Sequence, residues 1–422
     1  FTTKDYDGNC YLLSGNDTID QNDLDVETDY SLKIQINKSC LHFYVINFLD
    51  IDKDTYDDII FRNVYSYGSE SDYSIVRILK GRPFSQLPDI IYVDDNGSSL
   101  YWDIIIHGYN NSEGFGYDSL VLDYNNDNIN DIIISDPYID AENNKYGELY
   151  FINGNNLNEK VLNISDISFI IKGKFMGRAI GLGNNLFTLD YNNDSYFDIG
   201  WSDRGLDYNE LRDCGVTVII FNKGYIPSGN LSIDEFETTY IYGSKENDGA
   251  GMDNNQRISK GDFNSDGIDD LVIGAPGIDD PYINQGKIYV VPGSEEIRPE
   301  IRLVKSNCLF YITGWGGYEL SEGIDVGDYN NDSYPDIIFS SGISKNGRAS
   351  GAAFIWYGRE IDQNVYDQND YDEAYYGLGV TDLERYGYYC FFSDIDGDGF
   401  LDIVIMPDEG TYLDIFFNRN DP

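Results

Sequence analysis

Six copies of one ten-residue pattern punctuate this chain: Asp, any residue, Asp or Asn, any residue, Asp, three residues, Asp, then Ile or Leu. The copies start at Asp50, Asp123, Asp190, Asp262, Asp328 and Asp394, so successive starts lie 73, 67, 72, 66 and 66 residues apart. A near-constant period across most of 422 residues predicts one repeat architecture rather than two or three unrelated domains.

The pattern supplies side-chain oxygens at loop positions 1, 3, 5 and 9 and leaves the position-7 carbonyl free to turn inward. Such a set can wrap one hard cation that takes about six to eight oxygen ligands. The first loop offers Asp50, Asp52, Asp54 and Asp58 with the Tyr56 carbonyl, and the second Asp123, Asn125, Asp127 and Asp131 with Ile129. The third offers Asp190, Asn192, Asp194 and Asp198 with Tyr196, and the fourth Asp262, Asn264, Asp266 and Asp270 with Ile268. The fifth offers Asp328, Asn330, Asp332 and Asp336 with Tyr334, and the sixth Asp394, Asp396, Asp398 and Asp402 with Phe400. Carboxylate and amide oxygens suit calcium far better than zinc or copper, so up to six calcium ions are the expected cofactor.

An EF-hand would close with a bidentate Glu at position 12 and would be flanked by helices. Position 12 is instead Phe61, Ile134, Trp201, Ile273, Phe339 or Ile405. The flanks read as short β runs, so each loop is expected to join two strands, with position 9 opening the second. A third run has the form Gly, variable residue, alternating apolar and aromatic residues, Gly, as in GELYFING at 147–154, GKIYVVPG at 286–293 and GAAFIWYG at 351–358. A looser fourth run follows, as in SFIIKG at 168–173, TTYIYG at 238–243 and LFYITG at 309–314. Four short strands per unit of about 40–70 residues is the pattern of a β-propeller blade, so the fold class is all-β.

These motifs resemble the FG-GAP repeat family, the blades of the integrin α-subunit propeller. Phe115-Gly116 and, more loosely, Tyr386-Gly387 look like the FG element. The GAP element is intact at Gly274-Ala275-Pro276 and decays to Ser135-Asp136-Pro137 and Ile405-Met406-Pro407. The resemblance covers essentially the whole chain through its calcium loops, and it implies a propeller with seven blades. Counting from the loops favours six, because the 344 residues from Asp50 to Asp394 span five intervals. Five blades are then expected at about 41–115, 116–182, 183–250, 251–316 and 317–381, with a closing blade made of 382–422 plus 1–40. In that closing blade NCYLLSG at 9–15 is a third-type run and YSLKIQI at 30–36 a fourth-type run. A stretch at Asp95, DNGSSLYWDI, keeps the loop register without ligands at positions 3 and 5 and is expected to be a fourth strand.

Charge narrows the partners. The 74 acidic and 28 basic residues give a net charge of −46, which opposes binding to nucleic acid, whose phosphates require Lys and Arg. Anionic membrane surfaces are disfavoured for the same reason. Twenty acids occupy loop ligand positions, and the rest are expected to be a solvated, repulsive surface. No apolar stretch approaches the ~20 residues of a membrane span. The chain opens at Phe1 without a signal-like segment and is expected to be a mature or excised form. Sequons at Asn16, Asn37, Asn96, Asn110, Asn163, Asn193, Asn230 and Asn331 fit a secreted glycoprotein. Five cysteines without a CxxC pair argue against zinc, and Cys10 with Cys40 form the expected disulfide.

Catalysis finds little support. The two histidines, His42 and His107, lie in apolar β runs and are expected to be core residues. Nucleophile-elbow, zincin and phosphate-loop signatures are missing from the sequence. The tripeptide Lys260-Gly261-Asp262 looks like an integrin ligand, but its Asp is the first residue of the fourth loop. The aromatic at position 2 of a loop and the Ile or Leu at position 10 are expected to anchor the loop to the core. The reading is a non-catalytic, extracellular or cell-surface adhesion or assembly module that binds protein or glycan. A lectin and the non-catalytic propeller of a larger extracellular hydrolase are the alternatives.

Overall fold

In the computed structural model the described residues are 2–4, 10–12, 32–36, 40–66, 72–83, 86–87, 90–93, 102–108, 114–137, 147–158, 160–173, 185–251, 258–280, 282–314, 320–321, 323–342, 344–345, 348–349, 351–361, 364–377, 386–407 and 413–418. Two compact units are present. The first comprises residues 1–175, 181–183 and 224–235, and the second 176–180, 184–223 and 236–422. The described secondary structure is β throughout, apart from short 3-10 turns. No described helix is long and apolar enough to cross a membrane.

The first unit contains three sheets. The first pairs Thr2–Lys4, Cys10–Leu12 and Leu32–Ile36 as antiparallel neighbours, with Ile90–Val93 added in parallel at the outer edge. The second runs Cys40–Leu49, Asp58–Ser66, Asp72–Leu79 and Ile104–His107, with Val161–Asn163 in parallel at its edge. The third runs Ser119–Leu122, Asp131–Asp136, Glu148–Ile152 and Phe169–Lys172, edged by Gly229–Ser232.

Four principal sheets belong to the second unit. Phe187–Leu189, Asp198–Asp203, Val216–Ile220 and Thr238–Tyr242 form the fourth sheet, edged by Glu300–Arg302. Ser259–Gly261, Asp270–Ala275, Lys287–Val291 and Phe310–Thr313 form the fifth, edged by Val365–Asp367. The sixth holds Ile324–Gly327, Asp336–Ser341, Ala352–Trp356 and Glu373–Tyr376, and the seventh Tyr389–Ser393, Asp402–Met406 and Asp414–Phe416. A two-stranded ribbon, Ser344–Lys345 with Arg348–Ala349, completes the described set.

Seven principal sheets therefore stand against six loops, and the two ends of the chain lie in different sheets among the described strands. Loop counting misses the first sheet because residues 1–36, which supply three of its strands, contain no copy of the loop pattern. Residues 10–12 and 414–416 both follow a second-type strand, so one shared sheet would hold that strand type twice. The Asp95 stretch lies mostly outside the described residues, and the fourth strand of its sheet is Ile104–His107.

Second and third strands are buried on both faces, as Asp131–Asp136, Lys287–Val291 and Ala352–Trp356 illustrate. Period-2 amphipathicity disappears in a strand covered on both sides. The covering comes from neighbouring sheets within each unit. Ile60, Val76 and Ile104 of the second sheet pack with Ile132 and Tyr150 of the third. Leu189 and Ile219 of the fourth share a cluster with Leu271 and Ile288 of the fifth and with Ile337 and Phe354 of the sixth. Burial of this apolar area, at about 25 cal/mol per Å², supplies the main driving force for each unit.

The two glycines that bracket a third strand have separate causes. Gly286 enters the strand at φ +72°, the left-handed region that glycine adopts without a Cβ clash. Gly293 leaves it where an added Cβ would lie 2.5 Å from the Asp269 carbonyl oxygen. The described cysteines Cys214, Cys308 and Cys390 are free thiols; burial pushes Cys214 up to about 11 and Cys308 up to about 12. The side chains of Cys10, Cys40 and His42 lie outside the described set, and the disulfide expectation with them.

Gly293→Ala is expected to destabilise the second unit by about 1–3 kcal/mol through overpacking against fixed backbone. Gly267→Asn is expected to cost under ~0.5 kcal/mol, because Asn tolerates the left-handed conformation and Asn128 already occupies this loop position in the second loop at φ +67°. Urea unfolding midpoints of the two variants check the contrast.

Candidate metal centres

Each of the six loops lies between the first and second strands of its sheet, and all six share one hydrogen-bond scaffold. The position-1 carboxylate accepts the position-5 N–H through Oδ1 and the position-6 N–H through Oδ2. These distances are 3.1 and 2.9 Å at Asp50, 2.9 and 2.7 Å at Asp123, and 3.0 and 2.9 Å at Asp190. They are 3.0 and 2.9 Å at Asp262, 2.9 and 2.8 Å at Asp328, and 3.0 and 2.9 Å at Asp394. The position-5 carboxylate in turn accepts the position-7 N–H, as at Asp266 from Ile268 at 2.9 Å. These bonds coil the backbone around a point on which the side-chain oxygens converge.

The coil needs two left-handed residues. Position 4 has φ +61° at Lys53 and Asn126, +56° at Asn193, +58° at Ser265, +60° at Asn331 and +74° at Gly397. Position 6 has φ from +67° at Asn128 to +90° at Gly399. Asn and Gly recur at these positions because they adopt this region at least cost. The sequence carried that signal in residues treated only as spacers.

Position 9 is the loop's anchor. Its Oδ2 accepts the position-2 N–H: Ile51 to Asp58 at 2.8 Å, Tyr124 to Asp131 at 3.2 Å and Tyr191 to Asp198 at 3.1 Å. The same bond runs from Phe263 to Asp270 at 3.0 Å, Tyr329 to Asp336 at 2.9 Å and Ile395 to Asp402 at 2.9 Å. Its Oδ1 accepts an N–H from beyond the third strand: Gly81 at 2.7 Å, Gly154 at 2.8 Å, Asn222 at 2.9 Å, Gly293 at 3.0 Å, Gly358 at 2.7 Å and Asn418 at 2.8 Å. Sequence reading gave position 9 one role, as a ligand, and missed this clamp. Each carboxylate oxygen has two lone pairs, so the clamp leaves acceptor capacity, least at Asp336, whose Oδ2 also accepts the Asn330 N–H at 3.1 Å.

Burial is the largest cause that pushes these carboxyls up, to about 6 at Asp58, Asp131 and Asp336, about 7 at Asp270 and about 8 at Asp198. Neighbouring loop aspartates add to the rise, for example Asp266 and Asp262 at Asp270. A bound dication would be the largest local charge and would invert that balance.

The donor atoms present fit a hard cation. Carboxylate oxygens of Asp50, Asp52 and Asp54 lie within 4.8 Å of one another, and so do those of Asp394, Asp396 and Asp398. In the third loop the buried Asn192 Oδ1 has no hydrogen-bond partner among the protein atoms, while its Nδ2 donates to Asp194 at 3.0 Å. An acceptor desolvated in this way is costly, and a cation would satisfy it. Lys80 Nζ, 3.0 Å from Asp52 Oδ2, already offsets part of the first loop's charge.

The flanking anchors are as expected. Tyr124, Tyr191 and Phe263 at position 2 are buried, and so are Ile132, Ile199, Leu271, Ile337 and Ile403 at position 10. Tyr124 packs edge-on to Phe151 at 5.3 Å, and Phe263 to Phe310 at 5.8 Å. The FG-like pairs have a common geometry too: Gly116 N–H donates to Ser135 O at 2.9 Å with Phe115 buried. Ala250-Gly251 and Leu320-Ser321 repeat it, donating to Gly274 and Ser340 at 2.8 and 2.9 Å. These two copies escaped sequence reading because neither contains Phe. His107 is half-buried, and burial followed by the charge of Arg77 lowers its pKa.

Asp270→Ala would strand two buried N–H groups, on Phe263 and Gly293, and is expected to cost about 3–6 kcal/mol at about 1.5–3 per bond to a charged acceptor. Asp269→Ala removes only a partly exposed ion pair with Lys260, at 3.0 Å, and should stay within ~1 kcal/mol. Thermal unfolding of both variants separates the position-9 clamp from its neighbour.

Comparison with known proteins places this geometry. Residues 254–291 match the FG-GAP repeat. The chain is 30% identical over 222 residues to a phosphatidylinositol-glycan-specific phospholipase D of Dictyostelium discoideum, which covers 49% of this chain and 23% of that protein. The mouse protein of the same name is 30% identical over 158 residues, 35% of this chain and 17% of its own length. Integrin alpha-4 of Xenopus laevis is 28% identical over 152 residues, 35% of this chain and 14% of its own. The matched stretches thus span less than a quarter of each of these relatives. The resemblance to the FG-GAP, integrin α-like β-propeller family holds.

Proposed function

We propose that the chain is an extracellular β-propeller of seven blades, one per principal sheet, whose six Asp-rich loops hold calcium. It acts as an adhesion or assembly module for a protein or glycan partner and performs no catalysis of its own. The observation that carries this reading is the six-fold recurrence of one oxygen-lined loop geometry in a chain similar to an integrin α subunit. Calcium sits at the strand-to-strand turns, where it neutralises crowded carboxylates and fixes the backbone, so its role is structural.

A second reading has specific support. Two of the relatives above carry the name of a phospholipase D, and the part matched is 17% and 23% of their length. In that case the propeller accompanies a catalytic domain and contributes binding rather than chemistry. No feature of the described residues favours the lectin alternative over a protein partner.

Calcium titration is the first test. Extracellular calcium modules hold the ion at about 10⁻⁴–10⁻³ M, so excess EGTA should lower the melting temperature and millimolar calcium restore it. Asp266→Ala should lower the melting temperature in calcium, and the difference from wild type should narrow in EGTA. A melting temperature indifferent to EGTA would remove calcium from the account. Calcium-dependent binding to arrays of extracellular proteins and glycans, beside a phosphodiesterase assay of the same sample, separates adhesion from an enzyme-associated role.

A further inference from the structure

A cavity of about 430 Å³ lies in the first unit beside the third sheet, lined by Ile164, Ser165, Ile167, Ser168, Phe169, Ile170, Gly229 and Asn230. Its size falls in the range of about 300–1,000 Å³ typical of small-ligand sites. One wall is the segment from Ile164 to Ile170, which leads into the fourth strand. The other is the start of the parallel edge strand Gly229–Ser232, in which Asn230 stands opposite Ile170. Paired residues of neighbouring strands share a face of the sheet, so Asn230 stands on the face that also carries Ile170, a member of the apolar cluster on which Ile164 and Ile167 pack.

Asn230 is exposed and opens the sequon Asn230-Leu231-Ser232. The wall opposite offers the two contacts that an N-acetylhexosamine uses: apolar surface from Ile164 and Ile167, and hydroxyls from Ser168 and from Ser165, which donates to Asp166 Oδ1 at 3.5 Å and keeps its acceptor side. Ser168 Oγ accepts the Asn153 N–H at 3.2 Å, and its own proton remains to donate. Gly229 borders open space, since a Cβ there would meet nothing within 4 Å.

We propose that Asn230 carries an N-linked glycan whose first N-acetylglucosamine seats in this cavity. The inference rests on the extracellular reading, because the transfer takes place in the secretory pathway. In that step the Asn230 amide nitrogen bonds to the anomeric carbon of the sugar as the carbon–oxygen bond to a polyprenyl-diphosphate oligosaccharide donor breaks. The donor leaves as the diphosphate with the bonding electron pair, and the amide proton is lost with it. The seated sugar covers apolar surface at a sheet edge and shields an exposed parallel strand from pairing with another chain.

The full chain, secreted from a eukaryotic cell, provides the test. Occupancy at each sequon is read by mass spectrometry after release with a peptide N-glycosidase in ¹⁸O-water. Asn230 should be occupied in wild type, unmodified in Asn230→Gln and Ser232→Ala, and occupied again in Ser232→Thr. Seating is read separately as the rate of release from the native protein. It should rise about tenfold in Ile167→Ala, the factor expected for the loss of one or two buried methylene contacts, with no difference after unfolding in urea. An unoccupied Asn230 beside other occupied sequons overturns the proposal and leaves the extracellular reading intact. Equal native release rates overturn the seating. Absence of glycan at every sequon defeats the proposal too, while the calcium dependence of unfolding still stands or falls on its own measurement.

Discussion

A buried carboxylate with both oxygens bonded to backbone is the interaction on which the six loop-bearing sheets depend. Position 9 of a loop ties the turn between the first and second strands to the end of the third. The span closed by the second of these bonds is 23 residues at Asp58, Asp131 and Asp270, 24 at Asp198, 22 at Asp336 and 16 at Asp402. The connection between second and third strands can therefore change length without disturbing the clamp, because only its end point is fixed. A hydrogen bond to a charged acceptor in a desolvated site is worth about 1.5–3 kcal/mol. Two such bonds per sheet therefore fix a register that apolar packing alone leaves open to slippage.

The same clamp explains residues that would otherwise look arbitrary. Gly154, Gly293 and Gly358 lie where a Cβ would strike the position-8 carbonyl at 2.3–2.5 Å. In the fourth sheet Asn222 takes the place of this glycine, and its Nδ2 donates to that carbonyl, on Phe197, at 3.2 Å. In the seventh sheet Asn418 fills the same place, and its Nδ2 donates to the Tyr329 carbonyl at 2.7 Å, so the site also accepts a side chain that bonds a carbonyl nearby.

How much of this was legible in the sequence depends on whether a feature leaves a side-chain signature. The loops, the second strands such as Asp270–Ala275 and the glycine-bracketed third strands such as Lys287–Val291 all do. The parallel edge strands do not. Val161–Asn163 and Glu300–Arg302 bury only their middle residue, and Gly229–Ser232 has no fully buried residue. They are held by backbone pairing to the neighbouring fourth strand, which imposes almost no pattern on the residues. The principal sheets outnumber the loops for a related reason: counting loops counts sheets only if every sheet has one, and residues 1–36 contain no copy of the pattern. In the sites, the ligand positions were plain because carboxylates recur there, while the left-handed backbone at positions 4 and 6 was hidden among variable residues.

The loop geometry also bears on whether a bound cation stabilises or switches this fold. A ligand shifts an equilibrium between two conformations only by the difference in its affinity for them. Here the position-1 carboxylate already holds the position-5 and position-6 N–H groups, and positions 4 and 6 already adopt the left-handed backbone. The turn is held by protein hydrogen bonds, so a cation that fits its oxygens would favour the folded chain over the unfolded one. The alternative state against which it discriminates is the unfolded chain, in which the aspartates are hydrated and apart. Its effect is therefore mass-action stabilisation of the folded state, growing with the logarithm of its concentration above the dissociation constant. A cation held in this way would be a fixed part of the turn.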